Sequence, residues 1–386
     1  MMTRRKFLQR TGMAAGSVLL VSCQGISNLS ALQDATPPDK NNVWRMPDES
    51  EPHNRTWMAF GASKEIWGEE LLPVVRQNLA EIALAIASFE PVTMLVRQEE
   101  LDLAKELMGD AVEFVVAPLD DFWMRDTGAV VVQNEQGEMA CIDFHFNGWG
   151  EKQEHAQDAK VAGLMAQQTG FTVLATDLVL EGGGIEVDGH GTAIITESCV
   201  LNDNRNPNVT KEACEAELQE LLGLKKIIWL PGIKGKDITD GHTDFYARFV
   251  QPGVVVAGYD PDPASFDHAV TKKHIEILKA ATDAAGRSLK VVVVESPSTI
   301  RPDYATDDFA AGYINFYVCN GAVIMPEFGD PAADQAAHDA LQELFPDREI
   351  VQLNIDGVAA GGGGIHCTTQ QEPNIRSSVY LPLITA

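Results

Sequence analysis

Basic residues are scarce in this chain: 29 lysines and arginines stand against 56 aspartates and glutamates, for a formal charge of −27. That balance disfavours phosphate backbones and removes nucleic acid from the expected partners. It attracts cations instead, guanidinium and polyamine compounds among them, although an acidic surface also serves solubility alone. The six cysteines, Cys23, Cys141, Cys199, Cys214, Cys319 and Cys367, fall at spacings that match no zinc pattern, so no metal is expected. The weakly apolar stretch from Gly12 to Val21 is too short for a membrane span, which needs about 20 such residues. Low-complexity segments and clear interdomain linkers are missing as well.

What is present begins with a targeting segment. Thr3-Arg4-Arg5-Lys6-Phe7-Leu8 reads as a twin-arginine export signal occupying residues 1–22. Leu20-Val21-Ser22-Cys23 reads as a lipobox, so Cys23 is expected to carry a lipid after cleavage. Gln24 then favours the outer of two membranes, and residues 23–42 form a flexible tether. The expected location is the cell envelope or periplasm, with contact to the membrane only through that lipid. Removing four basic and no acidic residues with the signal takes the charge from −27 to −31. Twin-arginine export carries folded cargo, so Cys141, Cys199, Cys214 and Cys319 are expected as free thiols rather than disulfides.

Short β-rich runs alternate with amphipathic helical ones along the rest of the chain. Residues 69–88 place Leu71, Leu72, Val75, Leu79, Ile82 and Ile86 on one helical face, with Pro73 in the first turn. Further helices are expected over 151–168, 211–222, 268–284 and 333–344. Strands are expected at 93–96, 113–116, 129–132, 172–175, 193–196, 227–230, 245–249, 254–257, 290–294, 314–318 and 322–325. An α/β fold follows.

Polar clusters punctuate this rhythm. Asp126, Glu181, His242, Asn315 and Cys367 stand 55, 61, 73 and 52 residues apart. Such spacing suggests five repeated units, each contributing a polar residue to one centre, and a radial arrangement is the kind that converges all five. Cys367 follows Gly361-Gly362-Gly363-Gly364, a run suited to close backbone approach. Cysteine with histidine is the minimum for thiolate attack with acid–base assistance, which fits a peptidase, an amidase or a transferase equally. Asp126 and Asp244 separate these. Negative charge developing on a neutral amide needs donors, whereas planar guanidinium suits two carboxylates. His242 and Asp244, two apart, would share one side of a regular strand.

These residues resemble the agmatine deiminase and bacterial peptidyl-arginine deiminase family of the guanidino-group-modifying (pentein) superfamily. The matching motifs are Trp123-Met124-Arg125-Asp126-Thr127-Gly128, Glu181-Gly182-Gly183, Gly241-His242-Thr243-Asp244, Tyr313-Ile314-Asn315-Phe316 and Gly364-Ile365-His366-Cys367-Thr368-Thr369-Gln370-Gln371. The resemblance covers residues 43–386 as one domain and implies a five-bladed α/β propeller (pentein) of pseudo-fivefold ββαβ repeats. It further implies that Cys367 attacks the guanidinium carbon, His242 moves protons, Glu181 holds His242, and Asp126 and Asp244 grip the nitrogens. Trp123 would stack on the substrate chain or pack in the core. Asn315 would support the site, and Arg125 would pair with Asp126. His145, His155, His190 and His366 are read as ordinary. Ala129 departs from a common proline and His190 from a usual acid.

The implied reaction needs no cofactor and takes a small guanidino substrate, agmatine first, or an arginine-containing peptide. Export favours the peptide. A non-catalytic lipoprotein that binds cations is the reading from another class, and it leaves the thiol without a purpose.

Overall fold

The computed structural model describes residues 35–36, 42–305 and 308–374. The export signal, Cys23 and most of the tether lie outside these residues. The described strands form five sheets, and four share one local plan. A short strand turns back into an antiparallel partner, a helix crosses over, and a third strand joins in parallel. Ala247–Gln251, Val254–Tyr259, the helix His268–Ala280 and Lys290–Glu295 follow it, as do Tyr317–Cys319, Ala322–Glu327, Pro331–Leu344 and Glu349–Asn354. Ile185–Val187 and Thr192–Thr196 pair the same way, with Lys226–Leu230 joining after the helix Lys211–Leu222. The sheet of Val130–Asn134, Met139–Ile142 and Thr172–Leu174 adds Trp44–Arg45 at its edge. In the fifth sheet strands from far apart in the described chain meet: Thr369–Pro373 pairs antiparallel with His53–Phe60, which leads into the parallel strands Val92–Val96 and Glu113–Val116.

Three of the crossover helices combine a side-chain cap with an apolar stripe. Ser63, Thr210 and Asp330 each accept a backbone N–H at a helix start, and Pro331 stands at the first position, where its missing N–H is harmless. Gly68 (φ +69°) breaks the helix Lys64–Ala87 near its beginning, so the uninterrupted part opens where the apolar period does. Its stripe of Val75, Leu79, Ile82 and Ile86 is fully buried, worth about 1.5–3 kcal/mol for each large side chain. Among the described residues no helix is long and apolar enough to cross a membrane.

Three expectations are corrected. Residues 151–168 are not one helix: Trp149 and Glu151 adopt positive φ, a turn covers Asp158–Lys160, and the helix proper is Val161–Thr169. Asn147 drives the early turn by accepting from the N–H of Gly150. The strand expected at 245–249 begins at Ala247, after a 3-10 turn over Thr243–Phe245 that carries Asp244. Asn315 likewise precedes its strand, Tyr317–Cys319. Asp126, Glu181, Asp244, Asn315 and Cys367 all lie in the connections that lead into the strand opening each antiparallel pair.

Candidate active site

Those connections bring their side chains together in a buried cluster. Cys367, 6% exposed, stands in the 3-10 turn His366–Thr368. Its Sγ lies 3.6 Å from Asp244 Oδ2 and 3.4 Å from Asn315 Nδ2, and its backbone N–H points to Asn315 Oδ1 at 3.4 Å. The preceding glycines are required by the protein's own side chains. A Cβ on Gly363 would meet the Trp123 ring at 2.1 Å, and one on Gly364 would meet Asn315 Oδ1 at 2.3 Å.

Gly183 marks where the other groups converge. A Cβ there would lie 2.6 Å from His242 Nδ1, 2.8 Å from Asp126 Oδ1 and 3.1 Å from Asp244 Oδ2. His242 Nε2 contacts Glu181 Oε2 at 3.3 Å, and His242 Nδ1 stands 3.7 Å from Asp126 Oδ1. Asp126 also accepts from Trp149 Nε1 at 2.9 Å and from the N–H of Gly183 at 3.1 Å. His242 Nδ1 and Asp244 Oδ1 are buried polar atoms with no hydrogen-bond partner among the described residues.

Charge and burial set the protonation of this cluster. Burial alone would lower the pKa of His242, but Asp126 and the contacts with Cys199 and Glu181 overcome it and raise it well above 6.5. Burial would likewise raise Glu181, yet Arg205 and His242 hold it below its ordinary value. Asp126 is raised by burial, with Glu181 and Asp244 adding to the effect against His242. Burial would raise Asp244, but the bond and charge of His366, with His242 and Arg248, together lower it. The Cys367 thiol is pushed well above 9.0 by burial, then by Asp244 and Asp126. The resting cluster therefore pairs a neutral thiol with a protonated imidazole.

His366 is far from ordinary. Its Nδ1 meets Asp244 Oδ2 at 2.7 Å and its Nε2 meets Glu49 Oε2 at 2.9 Å. Glu49 also receives Arg125 at 2.9 Å, Arg248 at 2.7 Å and the N–H of Val318 at 2.9 Å. Arg125 thus pairs with Glu49 and with Gln371 Oε1 (2.7 Å), not with its neighbour Asp126. No local pattern could have revealed Glu49, whose partners lie far along the chain. The sequence also gave no reason to single out Trp149 or Arg205. Trp123 is held by Asp121, which accepts from its Nε1 at 3.0 Å, and packs on Phe122 while facing the cavity.

A cavity of about 1000 Å³ opens over the cluster, lined at its depth by Cys367, His242, Asp126, Trp123 and Trp149. Its described walls carry the acids Glu151, Asp237, Asp260, Asp262, Asp267 and Asp308 and the bases Lys152 and Lys236, with no arginine. Glu181, Cys199 and His242 also bring three potential metal-ligand atoms within 4.8 Å of one another. Arg205 Nε, however, bonds both Glu181 oxygens at 2.8 and 3.0 Å, and that cation opposes a metal ion at the same carboxylate.

The model of the Porphyromonas-type peptidyl-arginine deiminases matches residues 45–373. A Streptomyces avermitilis protein described as a candidate agmatine deiminase is 42% identical over 341 residues, 86% of this chain and 97% of the relative. Among solved structures, the agmatine deiminase of Enterococcus faecalis superposes with a TM-score of 0.81 at 33% identity, over 86% of this chain and 96% of that one. The agmatine deiminase of C. jejuni gives 0.76 at 25% identity, over 87% and 98%. With this match over most of its length, the chain belongs to the Porphyromonas-type peptidyl-arginine deiminase family.

Proposed function

We propose that this enzyme hydrolyses agmatine to N-carbamoylputrescine and ammonia through a covalent thiouronium on Cys367. The observation that carries the reading is the pair of unpartnered buried atoms, His242 Nδ1 and Asp244 Oδ1, beside Asp126 and the Cys367 thiol. A buried polar atom without a partner costs about 1–3 kcal/mol; the N–H groups of a guanidinium satisfy the acceptor Asp244 Oδ1, while protonated His242 Nδ1 is a donor left free to give its proton to the leaving nitrogen. Asp126 and Asp244 take the nitrogens and set the guanidinium carbon before Sγ, with Trp123 along the chain of the substrate and Asn315 steadying the thiol.

The bound cation offsets the carboxylates that hold the thiol neutral, so its proton is released to water as substrate enters. Sγ bonds to the guanidinium carbon, His242 gives its proton to one amino nitrogen, and that C–N bond breaks to release ammonia. Glu181 keeps the imidazole oriented throughout. His242 then takes a proton from water, whose oxygen bonds to the same carbon. The C–S bond breaks as the sulfur leaves with the bonding pair, the proton of the added hydroxyl returns to it to restore the neutral thiol, and the ureido product leaves.

The acidic cavity wall favours a substrate whose far end is an ammonium rather than a carboxylate. Peptidyl-arginine is the second reading, because the matched model carries that name and the cavity of about 1000 Å³ exceeds what a small diamine fills. Ammonia release from agmatine, free arginine and arginine peptides separates the two. Release from agmatine alone supports the first reading, and release only from peptides overturns it.

We further read the five sheets as blades of one five-bladed propeller, supported by their repeated ββαβ order among the described residues. Export by the twin-arginine route and lipid attachment at Cys23 rest on Arg4-Arg5 and on Leu20-Val21-Ser22-Cys23. Fractionation of Cys23→Ala with labelled fatty acid tests this: loss of label and of membrane association supports it, and unchanged fractionation contradicts it.

A further inference from the structure

Arg205 lies outside every motif that points to the chemistry, yet its guanidinium reaches both things on which His242 depends. Its Nε donates to Glu181 Oε1 and Oε2 at 2.8 and 3.0 Å, with both side chains fully buried. Its other two nitrogens hold the turn that carries His242, through Asp240 Oδ2 at 2.9 Å and Thr239 O at 2.9 Å. Asp240 sits at φ +65°, a region a non-glycine residue adopts only when its surroundings hold it there. Lys152 Nζ and Asn204 Nδ2 bond the same Asp240 oxygen at 2.6 and 3.0 Å, and Ser198 Oγ bonds its carbonyl at 2.6 Å.

We propose that Arg205 is a positioning residue for the acid–base step, fixing the Glu181 carboxylate and the Asp240 turn on either side of His242. This rests on the reading of His242 as the acid that releases ammonia. The groups facing Glu181 are Arg205, His242 and Cys199, whose Sγ stands 3.5 Å away, and Asp126 faces His242 from the other side. Arg205 supplies the positive charge that keeps Glu181 ionised among them. Without it the buried carboxylate takes a proton or turns away, and His242 gives up its own proton at lower pH. A lysine can offer charge but not the fork that spans Glu181 and Asp240.

The test is the pH dependence of kcat and KM for agmatine in Arg205→Gln, Arg205→Lys, Glu181→Gln and the double variant Arg205→Gln/Glu181→Gln. Arg205→Gln should lower kcat about 100-fold with KM within about 3-fold, and move the basic limb down by about one pH unit. Arg205→Lys should restore part of both. The double variant should be no slower than Glu181→Gln alone, since both changes disable one device. An unmoved basic limb, or losses that multiply in the double variant, would overturn the proposal. Should Arg205→Gln not fold, the limb in Arg205→Lys decides in the same way. Cys367→Ser separates the two levels. Activity surviving in it overturns the deiminase reading itself, whereas an inactive Cys367→Ser beside a wild-type-like Arg205→Gln overturns the role of Arg205 alone.

Discussion

Asp244 Oδ2 lies 3.6 Å from Cys367 Sγ, so a carboxylate that His366, His242 and Arg248 keep ionised against the cost of burial sits directly against the thiol. A carboxylate in that place raises a thiol's pKa rather than activating it. The free enzyme should therefore react slowly with iodoacetamide at neutral pH, with the rate climbing only above pH 9.0, the thiol's ordinary pKa. Asp244→Asn should speed this alkylation while abolishing turnover. A titration midpoint near neutrality in the free wild-type enzyme would contradict activation by substrate.

His366 joins Asp244 to Glu49, and removing it strips Asp244 of the donor that fixes Oδ2. A hydrogen bond to a charged group is worth about 1.5–3 kcal/mol, so His366→Asn should lower kcat/KM by about 10- to 100-fold. Glu49→Gln should act in the same direction through the same imidazole. Steady-state kinetics check this, and wild-type values for both variants would show that His366 does not hold Asp244 in place.

Adjacent glycines allow a sharp steric comparison. A Cβ on Gly183 meets His242 Nδ1 at 2.6 Å and Asp126 Oδ1 at 2.8 Å, whereas one on Gly184 meets Cys199 Sγ at 3.5 Å. Overpacking of this kind costs about 1–3 kcal/mol. Gly183→Ala should lose most activity by displacing His242 or Asp126, and Gly184→Ala should keep it. Equal activity in the two variants would place the reacting groups elsewhere.

Acid should destabilise the fold partly through His274. Burial pushes its pKa down to about 4, while its Nε2 accepts the N–H of Gly232 at 3.1 Å, which only the unprotonated nitrogen can do. The unfolded chain then binds the extra proton between about pH 6.5 and pH 4, so stability falls as pH drops through that window. The contribution is about 3 kcal/mol. Asp48 and Glu186, both pushed up to about 7 by burial, act in the opposite sense, being protonated in the folded state and losing stability as pH rises. Urea unfolding of wild type and His274→Gln isolates the histidine: the acid loss should shrink in the variant, and identical slopes would contradict it.

Periodicity was legible where one face of an element is apolar. The helix Lys211–Leu222 and the strand Glu113–Val116 run as their patterns predict. It failed where polar residues are buried in pairs. Thr369–Pro373 reads as Thr-Gln-Gln-Glu-Pro, with no apolar face, and was not expected as a strand. It is one because Glu372 accepts from Trp57 Nε1, Gln370 donates to Ala129 O and Gln371 accepts from Arg125. Ile185–Val187, only three residues long, gave too little period to detect, and the helix Leu101–Met108 also went unexpected. In the site, the groups at Asp126, Glu181, His242, Asp244, Asn315 and Cys367 could be picked out because they stand in motifs that resemble those of the deiminase family. Glu49, Trp149, Arg205 and the bridging role of His366 could not, because each depends on partners that only folding brings near.

Acid-quenched mass spectrometry during agmatine turnover, followed by peptide mapping, addresses the covalent step itself. A transient adduct of agmatine less ammonia should appear on the peptide containing Cys367 and be absent in Cys367→Ser, which should release no ammonia. Turnover without an adduct on that peptide, or ammonia release undiminished in Cys367→Ser, would contradict a covalent step on Cys367.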